Sequence, residues 1–160
     1  MQKGKSSKPA RWRVLKFGGS SVANPAAWPF IISAVQRALD ERCHVAIVVS
    51  ALRGITDLLE AQTQSESRQP VDEVMQQIEQ RHHKLALDLG VADDVLTRHL
   101  VDVRHKLQQS DSLSDNALHA ELLAHGELLS SRIACAALAR HDVSAQWLDP
   151  RRALICPTEP

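Results

Sequence analysis

The chain reads as an α/β domain on a mainly parallel sheet, and three stretches carry that reading. Residues 13–17 are a short apolar run, 24–42 have helical periodicity, and 44–50 contain Val45-Ala46-Ile47-Val48-Val49. Strand, helix and strand at this spacing make a βαβ unit, so the two strands are expected to be parallel with a right-handed crossover. The unbroken, β-branched second run suits a strand covered on both faces, and the first run is expected to be buried too.

Between the first strand and its helix lies Lys16-Phe17-Gly18-Gly19-Ser20-Ser21. Glycines expose backbone N–H groups that can cradle phosphate oxygens, and Lys16 adds a compact positive charge at the same place. The lysine precedes the glycines, unlike in a Walker loop, and such turns also occur for purely structural reasons. Asn24-Pro25 opens the helix, with Asn as cap and Pro in the first turn. Phe30, Ile31, Ala34, Val35, Ala38 and Leu39 are expected on its apolar face. Residues 51–57 leave the carboxyl end of the second strand, the edge where ligands gather in parallel sheets, so both loops share one rim. Gly54 permits a tight approach there. Thr56 or Asp57 can cap the helix beginning near Ile55, which is the plain alternative to a ligand contact.

Residues 64–69 are polar and read as loop. Val74, Ile78, Leu85 and Leu89 mark a helix from Pro70 to Gly90, and Val95, Leu96, Leu100, Val103 and Leu107 mark another over 93–109. The two are expected to form an antiparallel pair on the sheet. A further helix from Ser114 to about Arg140 carries Leu118, Leu122, Leu129, Ile133 and Ala137. His125-Gly126-Glu127 lies inside it, although a mid-helix glycine costs about 1 kcal/mol against alanine. Such a cost has a packing or functional reason. Gly126 would admit a backbone or ligand, with Glu127 presenting its carboxylate there; otherwise it is a packing glycine beside a solvated glutamate. Residues 143–148 read as a third strand, followed by Asp149-Pro150 and a short helical turn.

Composition narrows the function. At 160 residues the chain can bury a real core, and Lys+Arg and Asp+Glu both number 19, leaving no basic excess for nucleic acid or a membrane surface. Aromatic residues make up 3%, too few for base-stacking platforms. No apolar run reaches the roughly 18 residues that cross a bilayer. Residues 1–11 carry Lys3, Lys5, Lys8 and Arg11 without an apolar core, which reads as a disordered basic tail or an expression remnant rather than a signal peptide. Cys43, Cys135 and Cys156 are odd in number and far apart, which argues against a disulfide framework or zinc site and fits a reducing cytoplasm. None of the eight histidines forms an i, i+4 metal pair, so they read as surface or core groups and no metal ligand is expected.

The order and spacing of three motifs name a family. Lys16-Phe17-Gly18-Gly19-Ser20-Ser21-Val22-Ala23, Val49-Ser50-Ala51-Leu52-Arg53-Gly54-Ile55-Thr56-Asp57 and His125-Gly126-Glu127-Leu128-Leu129-Ser130-Ser131 resemble the signatures of aspartate kinases. Trp147-Leu148-Asp149-Pro150-Arg151 is similar to the family's next strand and turn, so the resemblance spans residues 13–154. The second loop points to the aspartate branch, since acetylglutamate and UMP kinases carry a glycine triplet there and glutamate 5-kinases a Ser-Ser-Gly-type turn.

The resemblance implies a three-layer αβα sandwich of the amino-acid kinase type. It implies ATP- and Mg2+-dependent phosphorylation of the side-chain carboxylate of L-aspartate to 4-phospho-L-aspartate, the first step towards lysine, threonine and methionine, by a homodimer. Carried over residue by residue, Lys16 is the catalytic group at the transferred phosphoryl, and Gly18, Gly19 and Ser20 line the phosphate path. Ser50 and Thr56 contact aspartate, and Glu127 pairs with its α-ammonium. Mg2+ would be held mostly by phosphates and water, so no protein ligand is assigned. Ser20 stands where many members have threonine; both offer a hydroxyl. The family's nucleotide-binding half, with a Gly-Arg-Gly-Gly-Ser-Asp-like segment and an arginine and aspartate that complete the substrate site, is not found before Pro160. Residues 12–160 are therefore expected to be the amino-terminal, aspartate-binding portion of the domain, truncated and inactive alone. The alternatives are a non-catalytic paralogue acting as an amino-acid-binding or interaction module, and a kinase of another amino-acid carboxylate. Three strands with an open edge lead us to expect marginal stability or self-association.

Overall fold

The computed structural model describes residues 11–64, 66–109 and 116–153. Residues 1–10 of the expected basic tail, the helix start at Ser114 and Cys156 lie outside them, whereas Arg11, expected in that tail, already belongs to the first strand. The fold is α/β, with strands β1 (Arg11–Phe17) and β2 (Cys43–Val49) parallel, in register from Arg11 opposite Cys43 to Phe17 opposite Val49. Between them come α1 (Gly19–Val22), a 3-10 turn (Pro25–Ala27) and α2 (Trp28–Asp40). Asn24 Oδ1 accepts from the Ala26 N–H at 3.1 Å, the expected cap, and the buried Trp28 indole donates to the Val22 carbonyl at 3.0 Å. That second bond ties the short α1 to the start of α2.

The buried side of α2 is Trp28, Ile31, Ile32, Val35 and Ala38, a clean i, i+3/i+4 series. Phe30, expected on that face, falls outside its phase and is exposed, while Leu39 is in phase but, in the last turn, stays partly open beside the β2 groove. Leu15, Val45 and Ile47 pack on Ile32, Val35, Leu138 and Val143, while Phe17, Ile47 and Val49 reach the main core. The opposite sheet face is open: Trp12 is 69% exposed, Val14 66% and Val48 49%. The expectation of a buried first strand and a doubly covered second one is corrected here. The apolar runs are those of covered strands, but nothing among the described residues covers this face.

α3 (Ile55–Ala61), α4 (Val71–Asp88) and α5 (Asp94–Gln108) follow, then α6 (Asn116–Ala139) and α7 (Pro150–Ala153). The α4–α5 pair does form, but it packs on α3 and α6 rather than on the sheet. α6 is the central helix, touching α3, α4, α5 and β2. Against the expectation that no stretch is long and apolar enough to cross a bilayer, its residues His119–Ala139 are so by length and composition alone, because a few charged residues do not outweigh the leucines and alanines around them. Helices apolar around most of their circumference are also what a core requires. Leu122, Leu128, Leu129 and Ile133 are fully buried among the neighbouring helices.

Residues 143–148 do not form the expected third strand, since none of them pairs in a ladder. Side chains of α6 hold the segment instead: the Cys135 thiol meets the Ala145 carbonyl at 3.4 Å, and the Trp147 indole donates to Ser131 Oγ at 2.9 Å. A groove of about 420 Å3 lies between this segment and β2. Ladder pairing needs backbones about 5 Å apart, and the groove keeps them from that approach.

Candidate active site

The carboxyl ends of β1 and β2 form one rim. Lys16 is exposed on β1, and among the described residues no carboxylate pairs with it. Gly18 caps α1 in an extended conformation, its carbonyl accepting from the Ser21 and Val22 N–H groups at 3.0 Å each. The first N–H groups of a helix have no partner within it, so Gly19 and the exposed Ser20 present donors beside Lys16.

Ala51, only 4% exposed, is where the three motifs meet. A side chain at Gly19 would collide with the Ala51 carbonyl oxygen, and one at Gly126 would come within 2.8 Å of Ala51 Cβ and 3.3 Å of Ile55 Cγ2. Both glycines are thus there for close approach, and for Gly126 the packing reason foreseen for a mid-helix glycine is found. Glu127, half-buried, lies with Oε1 3.4 Å from the Ala51 N–H, so the carboxylate is anchored at the rim rather than loose in solvent. Ser50 sits one residue past β2, half-buried, its N–H continuing the ladder to the Phe17 carbonyl at 3.0 Å.

Thr56 lies in the first turn of α3, half-buried, but neither it nor Asp57 caps the helix. Gly54 is the cap position, with φ of 78°, and the chain turns so sharply there that the Ile55 N–H reaches the Leu52 carbonyl at 2.9 Å. A left-handed glycine replaces the side-chain cap, which leaves the Thr56 hydroxyl without that duty. Gly19, Ser50 and Glu127 are therefore joined through residue 51, whereas Lys16, Ser20 and Thr56 make no hydrogen bond to it.

Two features escaped sequence reasoning. Ser130, fully buried, donates from Oγ to the Ser50 carbonyl at 2.9 Å; it lies in the third motif, but the resemblance gives it no role there. Behind the rim, α5, α6 and residues 147–151 enclose a polar seam. Arg132 lies 3.6 Å over the Trp147 ring and donates from Nε to His99 Nε2 at 3.0 Å. Lys106 pairs with Glu121 at 2.7 Å and holds that carboxyl below its usual range, as Arg151 does for Asp149. His125, 1% exposed, has no ring partner among the described residues, and burial followed by the nearby Arg151 pushes its pKa down to about 4. It is neutral at pH 7 and acts as a core group, as does His82, whose Nδ1 meets the Ile78 carbonyl at 2.7 Å.

Comparison with known proteins bears on the fold and the family. An aspartokinase of Chlamydia muridarum is 28% identical over 145 residues, covering 89% of this chain and 31% of that protein. The lysine-sensitive aspartokinase 3 of Escherichia coli is 30% identical over 148 residues, again covering 88% of this chain and 31% of its relative. The crystal structure of E. coli aspartokinase III with aspartate and ADP superposes with a TM-score of 0.72 at 29% identity, over 88% of this chain and 31% of that one. The same enzyme with lysine and aspartate gives 0.69 at 31% identity, over 88% and 32%. The chain thus spans under a third of the length of these relatives. The amino acid kinase family pattern matches residues 11–159, and the chain belongs to that family.

Proposed function

We propose that residues 12–160 are the aspartate-contacting portion of an aspartate kinase, with Lys16, Gly18, Gly19 and Ser20 at the phosphoryl group and Ser50, Thr56 and Glu127 at the amino acid. The observation that carries this is the convergence of the three motifs on Ala51, with Glu127 anchored by one oxygen and Lys16 unpaired on the same rim. In the reaction, a carboxylate oxygen of L-aspartate forms a bond to the γ-phosphorus of ATP as the bond to the β-bridging oxygen breaks, giving 4-phospho-L-aspartate and ADP. A carboxylate with a pKa near ~3.9 is already an anionic nucleophile at pH 7, so no general base is needed. The barrier lies in bringing two anions together in line, which positioning and charge neutralisation lower.

The residues present fit both partners. Lys16 supplies an uncommitted ammonium beside the open N–H groups of α1, suited to phosphoryl oxygens. The second carboxylate oxygen of Glu127 can take the α-ammonium of the amino acid, a charge-assisted contact that a simple dicarboxylate cannot make. Mg2+ would travel with the phosphates. The parent activity would be cytoplasmic, belong to amino-acid biosynthesis and act in a homodimer.

Because the chain spans about 31% of its relatives, we expect it to bind aspartate without turning it over. Titration calorimetry with aspartate and glutamate, and hydroxylamine trapping of acyl phosphate with Mg-ATP, test this together. Aspartate heat without glutamate heat, abolished in Glu127→Gln, supports the reading. Binding of neither amino acid by the folded chain overturns it. Hydroxamate formed with aspartate and lost in Lys16→Ala would show that the chain is catalytic by itself.

A further inference from the structure

We infer that Ser130 is a positioning residue for the candidate site, acting with Glu127 to clamp a single peptide unit, Ser50–Ala51, from both ends. The role in substrate binding rests on the function proposed above; the clamp does not.

The β1–β2 ladder ends at Phe17 opposite Val49, and the Ser50 N–H extends it by one bond. The next peptide unit lies beyond the ladder, and both its polar groups turn to α6. Its C=O accepts from Ser130 Oγ at 2.9 Å, and its N–H faces Glu127 Oε1 at 3.4 Å. Residues three apart share one helix face, so a single turn of α6 closes both ends.

Ser130 does not need this contact for its own sake. Its Oγ also lies 3.1 Å from the Glu127 carbonyl, the back-bond by which a helical serine satisfies itself. The dependent partner is the Ser50 carbonyl, which would otherwise be left unpaired beside a fully buried side chain. If that carbonyl swings, Ser50 turns about its own Cα and the Ala51 N–H leaves Glu127. Two of the proposed aspartate contacts would shift together.

Ser130→Ala removes the donor and adds no volume. We expect amide hydrogen exchange at Ala51 and Leu52 to quicken about tenfold in this variant, and aspartate affinity to fall by about the same factor, while exchange in α4 stays unchanged. Ser130→Cys, with a weaker donor of similar size, should fall between. On a Ser50→Ala background, which keeps the clamped carbonyl, Ser130→Ala should still weaken aspartate binding through the Glu127 contact, but by less than the roughly tenfold expected in the wild type. Unchanged exchange at Ala51 in Ser130→Ala overturns the clamp. Quickened exchange with unchanged aspartate affinity overturns the positioning role. If the wild-type chain binds no aspartate, the proposed function falls and the exchange rates still decide the clamp. Should Ser130→Ala fail to fold, Ser130→Cys carries the same reading.

Discussion

The two margins of the β1–β2 sheet are built on opposite terms. At the carboxyl rim, backbone touches backbone: Gly19 lies against the Ala51 carbonyl, Gly126 against Ala51 Cβ, and the peptide unit past β2 has a partner at each end. Along the flank, β2 and residues 143–148 face each other across a groove of about 420 Å3, with Trp12, Val48 and Leu148 exposed nearby. A rim made of small residues and committed hydrogen bonds cannot yield by an ångström without losing several contacts. A flank held by side-chain tethers and one backbone bond at its start, from the Val143 N–H to the Leu138 carbonyl, can.

The sharpest way to break this contrast is Gly19→Ala. Its Cβ would meet a backbone oxygen, not the end of a flexible side chain, and that Ala51 carbonyl follows directly on the peptide unit held by Glu127 and Ser130, which limits its retreat. We expect a loss of about 3 kcal/mol, read from urea midpoints, and loss of aspartate binding. Gly126→Ala meets Ala51 Cβ, which moves only with its backbone, but at 2.8 Å the overlap is smaller, and the substitution recovers about 1 kcal/mol of helix propensity, so its net loss should be about 2 kcal/mol. Equal stability of Gly19→Ala and the wild type would mean that the rim is not closed as described.

The same contrast explains what could be read from the sequence. The rim motifs are local: Gly19, Gly54 and Gly126 each announce a place where a side chain is not tolerated, and the structure gives each a neighbour or a left-handed turn, whereas a Cβ at Gly18 would meet only Lys16 Nζ at 3.8 Å, an ordinary contact. Ser130 was not legible, because its partner is the first carbonyl beyond a ladder whose end depends on pairing 80 residues away in sequence. Phe30 failed through helix phase, one position off the series from Trp28 to Ala38. Residues 143–148 have the alternation of a strand, but a strand is defined by what lies next to it, and composition does not report that. The apolar run of β2 signalled two covered faces for the same reason, where one is found.

Acid probes the rim from behind. His82 and His125 are buried with pKa values lowered to about 4, by burial first in each case. In the unfolded chain they take up protons near the ordinary value of 6.5, so between these limits the unfolded state binds more protons and stability falls as pH falls. Their contribution is fully present above about 6.5 and lost on the way down to about 4. We expect a loss on the order of 2 kcal/mol for each, visible as falling urea midpoints over that window. The charged groups facing His125 are Arg151, Asp102, His99 and Glu121, and Arg151 opposes its protonation most strongly. The pKa of His99 is lowered as well, by burial first, so His125→Leu should remove less than half of the slope. A slope unchanged in that variant would place the acid response elsewhere and detach His125 from the rim.

The smallest expected effect lies on the open face. Val48 stands opposite Lys16 in the register and is 49% exposed. Threonine there keeps the β-branch that suits a strand and removes little apolar area from contact, so Val48→Thr should change stability by less than about 0.5 kcal/mol. The variant should also self-associate less than the wild type in sedimentation velocity, because an apolar strand face beside an unpaired edge is a template for a second copy. A loss above about 1.5 kcal/mol would contradict a bare face, and its concentration dependence would say how. A loss that grows with protein concentration means that a second copy covers the face in solution. A loss independent of concentration means that the face is covered within one chain, and the flank would then be as closed as the rim.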